Sequence, residues 1–304
     1  MTDLTFPADH RPLGASGIDV SPLAWGMWRF RGGDVNAAAR LVNAALDAGI
    51  TLLDTADIYG PDNNEPFGAA EELLGQVLAA DPSRRERMVL ASKGGIRMGV
   101  PYDSSAAYIA EAIDASLRRL QTEQLDLWQI HRPDMLAHPQ EVARALDDAV
   151  EAGKVRALGV SNMTVAQIAA LNRFLDQRIV SVQPEFSPLA TDPLFNGLLD
   201  TCMAEDLAVL AWSPLGQGRL GGDGAGDARA ATVIALLDAK AAEAGVPRAA
   251  VAYAWIGAHP ARPIPIVGTQ TPERIAEAAL AHRVSFTRAE WYAILQAGMG
   301  AKLP

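Results

Sequence analysis

The chain is poor in the features that staple, anchor or strongly polarise a protein. Among its 304 residues there is one cysteine, Cys202, so an internal disulfide is impossible, which fits a reducing compartment. Cys202 also lacks a Cys or His neighbour at metal-ligand spacing, so no metal site is expected and a buried, inert thiol is. No apolar run approaches the roughly 20 residues needed to span a bilayer. The opening MTDLTFPADH has neither the basic nor the apolar region of an export signal, and the expected location is the cytoplasm. Positive charge is scarce: 26 Lys and Arg face 36 Asp and Glu, and the net charge of −10 argues against nucleic acid or an anionic membrane as partner.

Apolar residues make up 49% of the chain and charged residues 20%, a globular balance with material for a large core. Short apolar runs alternate with longer helical stretches, and no Pro/Gly/Ser linker divides them, so residues 1–304 read as one domain. The segment RPLGASGIDVSPLAWG suggests a small β-hairpin leading into a strand that ends near Gly26. Asp34 is placed to cap a helix running to Gly49. TLLDTADIYG follows as a short strand with its polar end exposed, then a helix from Ala69 to Ala79 and the strand MVLASK. Asp103, Ser104 or Ser105 opens a helix to Leu120. The pattern repeats through LDLWQIH, VRALGVSN, IVSVQPEF and LAVLAWSPLG, with helices at Pro139–Ala152, from Thr164 and from Pro193. Helices from Ala231 and after Pro247, the strand RPIPIVG, a helix from Pro272 and a terminal helix over Arg288–Met299 finish the chain. Eight parallel strands, each followed by a helix, point to an α/β fold, a (β/α)8 barrel with an N-terminal hairpin and a C-terminal helix. An open doubly wound sheet is the alternative.

In such a barrel the C-terminal strand ends meet on one face, where chemistry is done. Asp54, Tyr59, Lys93 and His131 each sit at or just past the end of a strand-like run. Taken singly, each has a plain structural role open to it: Asp54 as a turn cap, Tyr59 and His131 as rim groups, Lys93 as a snorkelling cation. Together they supply what carbonyl reduction needs, an acid near the oxygen while a cofactor delivers hydride. A tyrosine suits the acid role if a nearby ammonium lowers its pKa, and a pocket ammonium needs a carboxylate. Lys93 between Asp54 and Tyr59 is expected to do this, with a neutral His131 donating to the substrate oxygen. The Gly-rich stretch Gly216 to Gly226 lacks the acidic residue of a dinucleotide fingerprint, and by itself reads as a surface loop.

Nearly end to end, the chain resembles the aldo-keto reductase superfamily. LLDTADIYG is similar to the family segment with the catalytic aspartate and tyrosine, SKGG to the lysine segment and IHRPD to the histidine segment. The resemblance implies Asp54, Tyr59, Lys93 and His131 as a catalytic tetrad. It also implies Ser161 and Asn162 of GVSN, with Gln183, as holders of the nicotinamide amide, and Trp212 of AWSPLGQGRL as the aromatic stacked on the nicotinamide ring. Ser213, Leu215, Gly216, Gly218 and Arg219 would follow along the pyrophosphate, and Met27, Trp28 and Asp54 would complete the near side of the cofactor. VGTQTPERIAEA resembles the adenosine site, which implies Gly268 and Thr269 near a phosphate, Arg274 at the adenine or 2′-phosphate and Glu277 near the adenine amine.

The chain departs from the family pattern at Gly268, Gln270 and Ala278, where a cation early in the segment and an Asn beside the acid are usual. Arg274 still supplies one fork-shaped partner, so NADP(H) is favoured and NAD(H) is the alternative. The implied activity interconverts an aldehyde or ketone and its alcohol, with Tyr59 as general acid and base and with His131 and Trp28 positioning a small-molecule substrate. Trp25, Trp28, Phe30 and Trp291 either line the pocket or pack, and no signature of oligomeric state is visible. Two rivals are a nicotinamide-binding regulatory protein like the potassium-channel β subunits, and an isomerase or lyase in which Lys93 forms a Schiff base.

Overall fold

A computed structural model of the chain describes residues 3–223 and 226–303. Eight strands form a closed barrel: β1 Ala24–Gly26, β2 Leu52–Asp54, β3 Val89–Gly94, β4 Leu125–Ile130, β5 Val155–Ser161, β6 Ile179–Gln183, β7 Ala208–Ala211 and β8 Ile264–Val267. They pair in parallel in chain order, and β8 closes on β1. The expected barrel is the observed one. Closure leaves no sheet edge, and each crossover lays a helix on the outside.

Alternation along the strands determines what fills the barrel. Leu52, Ala91 and Leu127 belong to an inner apolar cluster that also contains Leu210 and Ile264. Two residues further along, on the same faces, stand Asp54, Lys93 and Gln129. The interior is therefore apolar in its lower layers and polar at the C-terminal end. Below, Arg11–Pro12 pairs antiparallel with Asp19–Val20, and this hairpin adds Leu13, Ile18 and Val20 to the same cluster as a floor.

Most helix starts follow their capping residues. Asp34 accepts from the N–H groups of Asn36 and Ala37 at the head of Val35–Asp47. Ser105 caps Ala106–Leu120, and Thr164 and Thr287 form capping boxes. The helix expected from Pro193 is displaced. Asp192–Leu194 is a single 3-10 turn, Gly197 adopts φ +80°, and the α-helix runs over Leu198–Glu205. The left-handed residue resets the chain direction, and Asn196 Oδ1 takes the N–H of Leu198 at 3.0 Å. The helix expected from Ala231 starts earlier, at Ala228, because Asp227 caps it.

At the C-terminal end, Trp291 of Arg288–Met299 stacks on Trp255 of Arg248–Gly257 with ring centroids 4.7 Å apart. Each indole N–H donates to the other residue's carbonyl. Trp291 thus packs, as do Trp25 and Phe30, both buried. Cys202 is buried and its thiol is pushed up to about 12, so it is held protonated. Among the described residues, no helix is long and apolar enough to cross a membrane.

Candidate active site

Backbone pairing beyond the strand ends brings the tetrad together. After β2, the N–H groups of Thr55 and Asp57 donate to the carbonyls of Ala91 and Lys93. The chain then turns, with Tyr59 N–H donating to Ala56 O at 3.2 Å, and the phenol comes back over β3. His131 is held on the other side of β3 by its N–H on Gly94 O, 2.8 Å away. Gly94 has no freedom to carry a side chain: a Cβ there would lie 2.8 Å from the Trp128 ring and 3.1 Å from Asp57. The polar end of this segment is not exposed as expected, because Asp54, Thr55 and Asp57 are all buried.

Lys93 Nζ donates to Asp54 Oδ2 at 2.7 Å, to the Thr55 carbonyl at 2.7 Å and to the Tyr59 hydroxyl oxygen at 3.0 Å. An ammonium has three protons, and all three are committed. Two consequences follow. Lys93 has no free lone pair for a Schiff base; its ion pair with Asp54 holds its pKa above the usual lysine value in spite of burial. Tyr59 receives a hydrogen bond on its oxygen, and its own O–H has no protein acceptor among the described residues. That proton is available to a ligand.

Asp54 is oriented by two amides, Gln129 Nε2 at 3.2 Å and Gln183 Nε2 at 3.0 Å, both on Oδ1. The two carboxylate oxygens thus serve different partners, cation on one side and amides on the other. The phenol departs from the sequence-based expectation. Burial pushes the Tyr59 pKa up, and the field of Lys93 offsets only part of that rise. Tyr59 therefore holds its proton at neutral pH. His131 has its pKa well below the ordinary histidine range, through burial first and the fields of Lys93 and Arg132 second. It is a neutral imidazole edge-on to Tyr59, ring centroids 5.8 Å apart, and its Nδ1 has no partner.

The residues implied for the nicotinamide form one chain of hydrogen bonds across β4 to β7. Trp212 Nε1 donates to Asn162 Oδ1 at 3.0 Å; Asn162 Nδ2 reaches Ser161 Oγ at 2.7 Å and the His131 carbonyl at 3.3 Å. Ser161 Oγ donates to the Gln183 carbonyl at 2.9 Å. Asn162 (φ 58°), Ser213 (φ 49°) and Gln217 (φ 58°) are non-glycine residues in the left-handed region, concentrated at this mouth. Gly216 has φ +58° with Leu189 Cδ1 3.0 Å from where its Cβ would be, so a side chain there would be strained and would press on Leu189. Arg219 is tied to Gly216 O and Asp227, with Leu215 half-buried and Gly218 exposed beside it. Residues 224 and 225 of the Gly-rich stretch lie outside the described residues. Across the mouth, Met27 is enclosed in the core, and Trp28 is exposed with its indole N–H on Asp62. After β8, the Thr269 carbonyl accepts from Trp25 Nε1 at 3.0 Å, and Gly268 has open space around it. Arg274 and Glu277 are exposed, and Arg274 has no hydrogen-bond or ion-pair partner among the described residues.

Several groups around the tetrad are absent from the sequence reading. Gln129 was visible as a polar residue two positions before His131 on an apolar strand. Asp57 is buried beside Glu71, which Arg119 and Ser92 bind, and its carboxyl is pushed up to about 8 by burial and the neighbouring carboxylate. A glutamate on the apolar face of the Ala69–Ala80 helix was the available signal. Arg132, next to His131, lies over the Trp212 ring with 5.7 Å to the centroid. Among the described residues no cluster of His, Cys, Asp or Glu is arranged to hold a metal.

Comparison with known proteins bears on the family and the fold. The Aldo/keto reductase family model matches residues 22–298. A 6-dehydroglucose reductase of Novosphingobium aromaticivorans is 57% identical over the full length of both chains. A protein of the same description from Agrobacterium fabrum is 37% identical over 94% of this chain and 97% of its own. The Escherichia coli oxidoreductase YdhF is 35% identical over 96% of this chain and 98% of its own. Among solved structures, the thermostable aldo-keto reductase Tm1743 superposes with a TM-score of 0.78 at 23% identity, covering 95% of this chain and 99% of that one, which bears on the fold. The chain, a closed parallel barrel matched by the family model over nearly its whole length, belongs to the aldo/keto reductase family.

Proposed function

We infer that the protein is an NADPH-dependent reductase that converts a sugar-type aldehyde into the corresponding primary alcohol, with Tyr59 as general acid. The observation that carries this reading is the fully committed Lys93 ammonium, which turns the Tyr59 oxygen into its acceptor and leaves the phenol proton free for the substrate. The nicotinamide cofactor supplies the hydride. Its amide would be held by Ser161, Asn162 and Gln183 in exchange for hydrogen bonds they now make with one another, and the half-buried Trp212 ring stands beside them, with Arg132 shifting aside as the nicotinamide takes its place on the ring. The unpaired Arg274 offers a guanidinium fork to a 2′-phosphate, which supports NADPH over NADH.

As a carbonyl gains hydride its oxygen becomes basic. Tyr59 O–H transfers its proton to that oxygen, and the phenolate formed faces Lys93 Nζ at 3.0 Å, which stabilises it. Asp54 keeps the lysine cationic. Neutral His131 adds a ring N–H to orient the same oxygen. The raised phenol pKa fits a residue that must begin the step protonated. A sugar-type substrate is supported by the full-length relative described as a 6-dehydroglucose reductase.

Fluorescence titration with NADPH and NADH, followed by turnover on a panel of sugar aldehydes, simple aldehydes and ketones, tests this reading. Tighter NADPH binding and highest turnover on a sugar aldehyde are expected. NADPH binding without turnover on any carbonyl would sink it and favour a nicotinamide-binding regulatory role.

A further inference from the structure

The geometry points to Arg132 as the specificity-determining residue of this site, a flat cation that reads hydroxyl groups on the substrate carbons next to the reacting carbonyl. The assignment rests on the reductase reading above and deepens it. Arg132 immediately follows His131 at the end of β4, yet its guanidinium lies over the Trp212 ring, just past the end of β7. The indole beneath is itself fixed, through Asn162, to the His131 carbonyl. The side chain therefore extends across the mouth over the nicotinamide-amide residues. It is half-buried, and it has no hydrogen-bond or ion-pair partner among the described residues.

With Cζ 5.7 Å from the Trp212 ring centroid and no protein acceptor among the described residues, the guanidinium has N–H donors free for the oxygen acceptors of a ligand. Its field reaches the reacting centre, since it acts on both Tyr59 and His131. A substrate whose carbonyl oxygen meets Tyr59 and His131 then brings its adjacent carbons under Arg132. An anionic substituent would suit the cation locally. A neutral polyol is favoured over it because the reductase reading draws on a full-length relative described as a 6-dehydroglucose reductase.

The test uses D-glyceraldehyde and propanal, which share a three-carbon chain and differ by two hydroxyls, with NADPH and wild type, Arg132→Met and Arg132→Lys. Wild type is expected to favour glyceraldehyde. Arg132→Met should lose roughly tenfold or more in kcat/KM for glyceraldehyde, mostly through KM, with less than about threefold change for propanal. Arg132→Lys should recover only part of the loss, because a point charge replaces a fork. Equal losses on the two aldehydes, or no loss on either, would overturn the assignment while leaving the reductase reading intact. A wild-type preference for glyoxylate over glyceraldehyde that disappears in Arg132→Met would also overturn it, in favour of a carboxylate. Absence of wild-type turnover on every carbonyl would refute the reductase reading itself.

Discussion

Replacing Lys93 with Met tests the centre of the site in two independent ways. The ammonium and the Asp54 carboxylate are both buried, with side-chain exposures of 0% and 3%, and lie 2.7 Å apart. Methionine fills similar volume but removes the cation and its three hydrogen bonds. Asp54 keeps the Gln129 and Gln183 amides and loses its counter-charge. Breaking a buried pair from one side costs about 3–5 kcal/mol, because a charge is left uncompensated in a poorly polarisable interior. The second variant, Lys93→Met with Asp54→Asn, removes that charge while Asn Oδ1 still accepts from both glutamines. It should recover more than half of the lost stability. Activity should behave differently. Without Lys93 the main offset to the burial of Tyr59 is gone, only the smaller field of Arg132 remaining, and turnover should drop by roughly 10²- to 10⁴-fold in both variants. Urea unfolding followed by circular dichroism reads the first quantity, and oxidation of reduced nicotinamide reads the second. A single variant as stable as wild type, or a double variant that regains turnover, would refute the argument.

Three further outcomes follow from the same geometry. Tyr59→Phe removes the free proton and keeps the ring, so turnover should fall by roughly 10²-fold or more while NADPH affinity, read by fluorescence, stays nearly unchanged. Arg274→Ala should weaken NADPH much more than NADH in the same titration, and equal weakening would mean that Arg274 does not read the 2′-phosphate. For Asp57, with its carboxyl raised from 3.8 to about 8, the folded chain holds one more proton than the unfolded chain between those values. Stability therefore falls as pH rises through that window. Asp57→Asn, neutral throughout, should match wild type near the acidic end and become more resistant to urea than wild type toward the alkaline end; parallel pH dependences would refute the assignment.

The legible parts of this protein were set by short-range rules. Alternation places Leu52 with Asp54 and Ala91 with Lys93 on single faces, and the Asp34 cap and the expected starts at Thr164 and Arg288 fall within a residue of the observed helices. The helix expected from Pro193 begins only at Leu198 because Asn196-Gly197, an Asn-Gly turn signal, redirects the chain after the turn at Asp192–Leu194. In sequence Arg132 reads as an ordinary rim charge after a histidine, and only the fold shows its guanidinium over Trp212.

Sequence alone determined the period of the strands, the positions of the caps and the residue types at the strand ends, since these depend on sterics and hydrogen bonds reaching only a few residues. The tertiary structure alone decided which polar atoms meet. Gln183 donates to Asp54 from 129 positions away, a contact that exists only because the barrel closes. It also decided the sign of the Tyr59 shift, raised where the local pattern of lysine and tyrosine suggested lowering. Desolvation is a property of everything that surrounds a group, and no short stretch of sequence contains it.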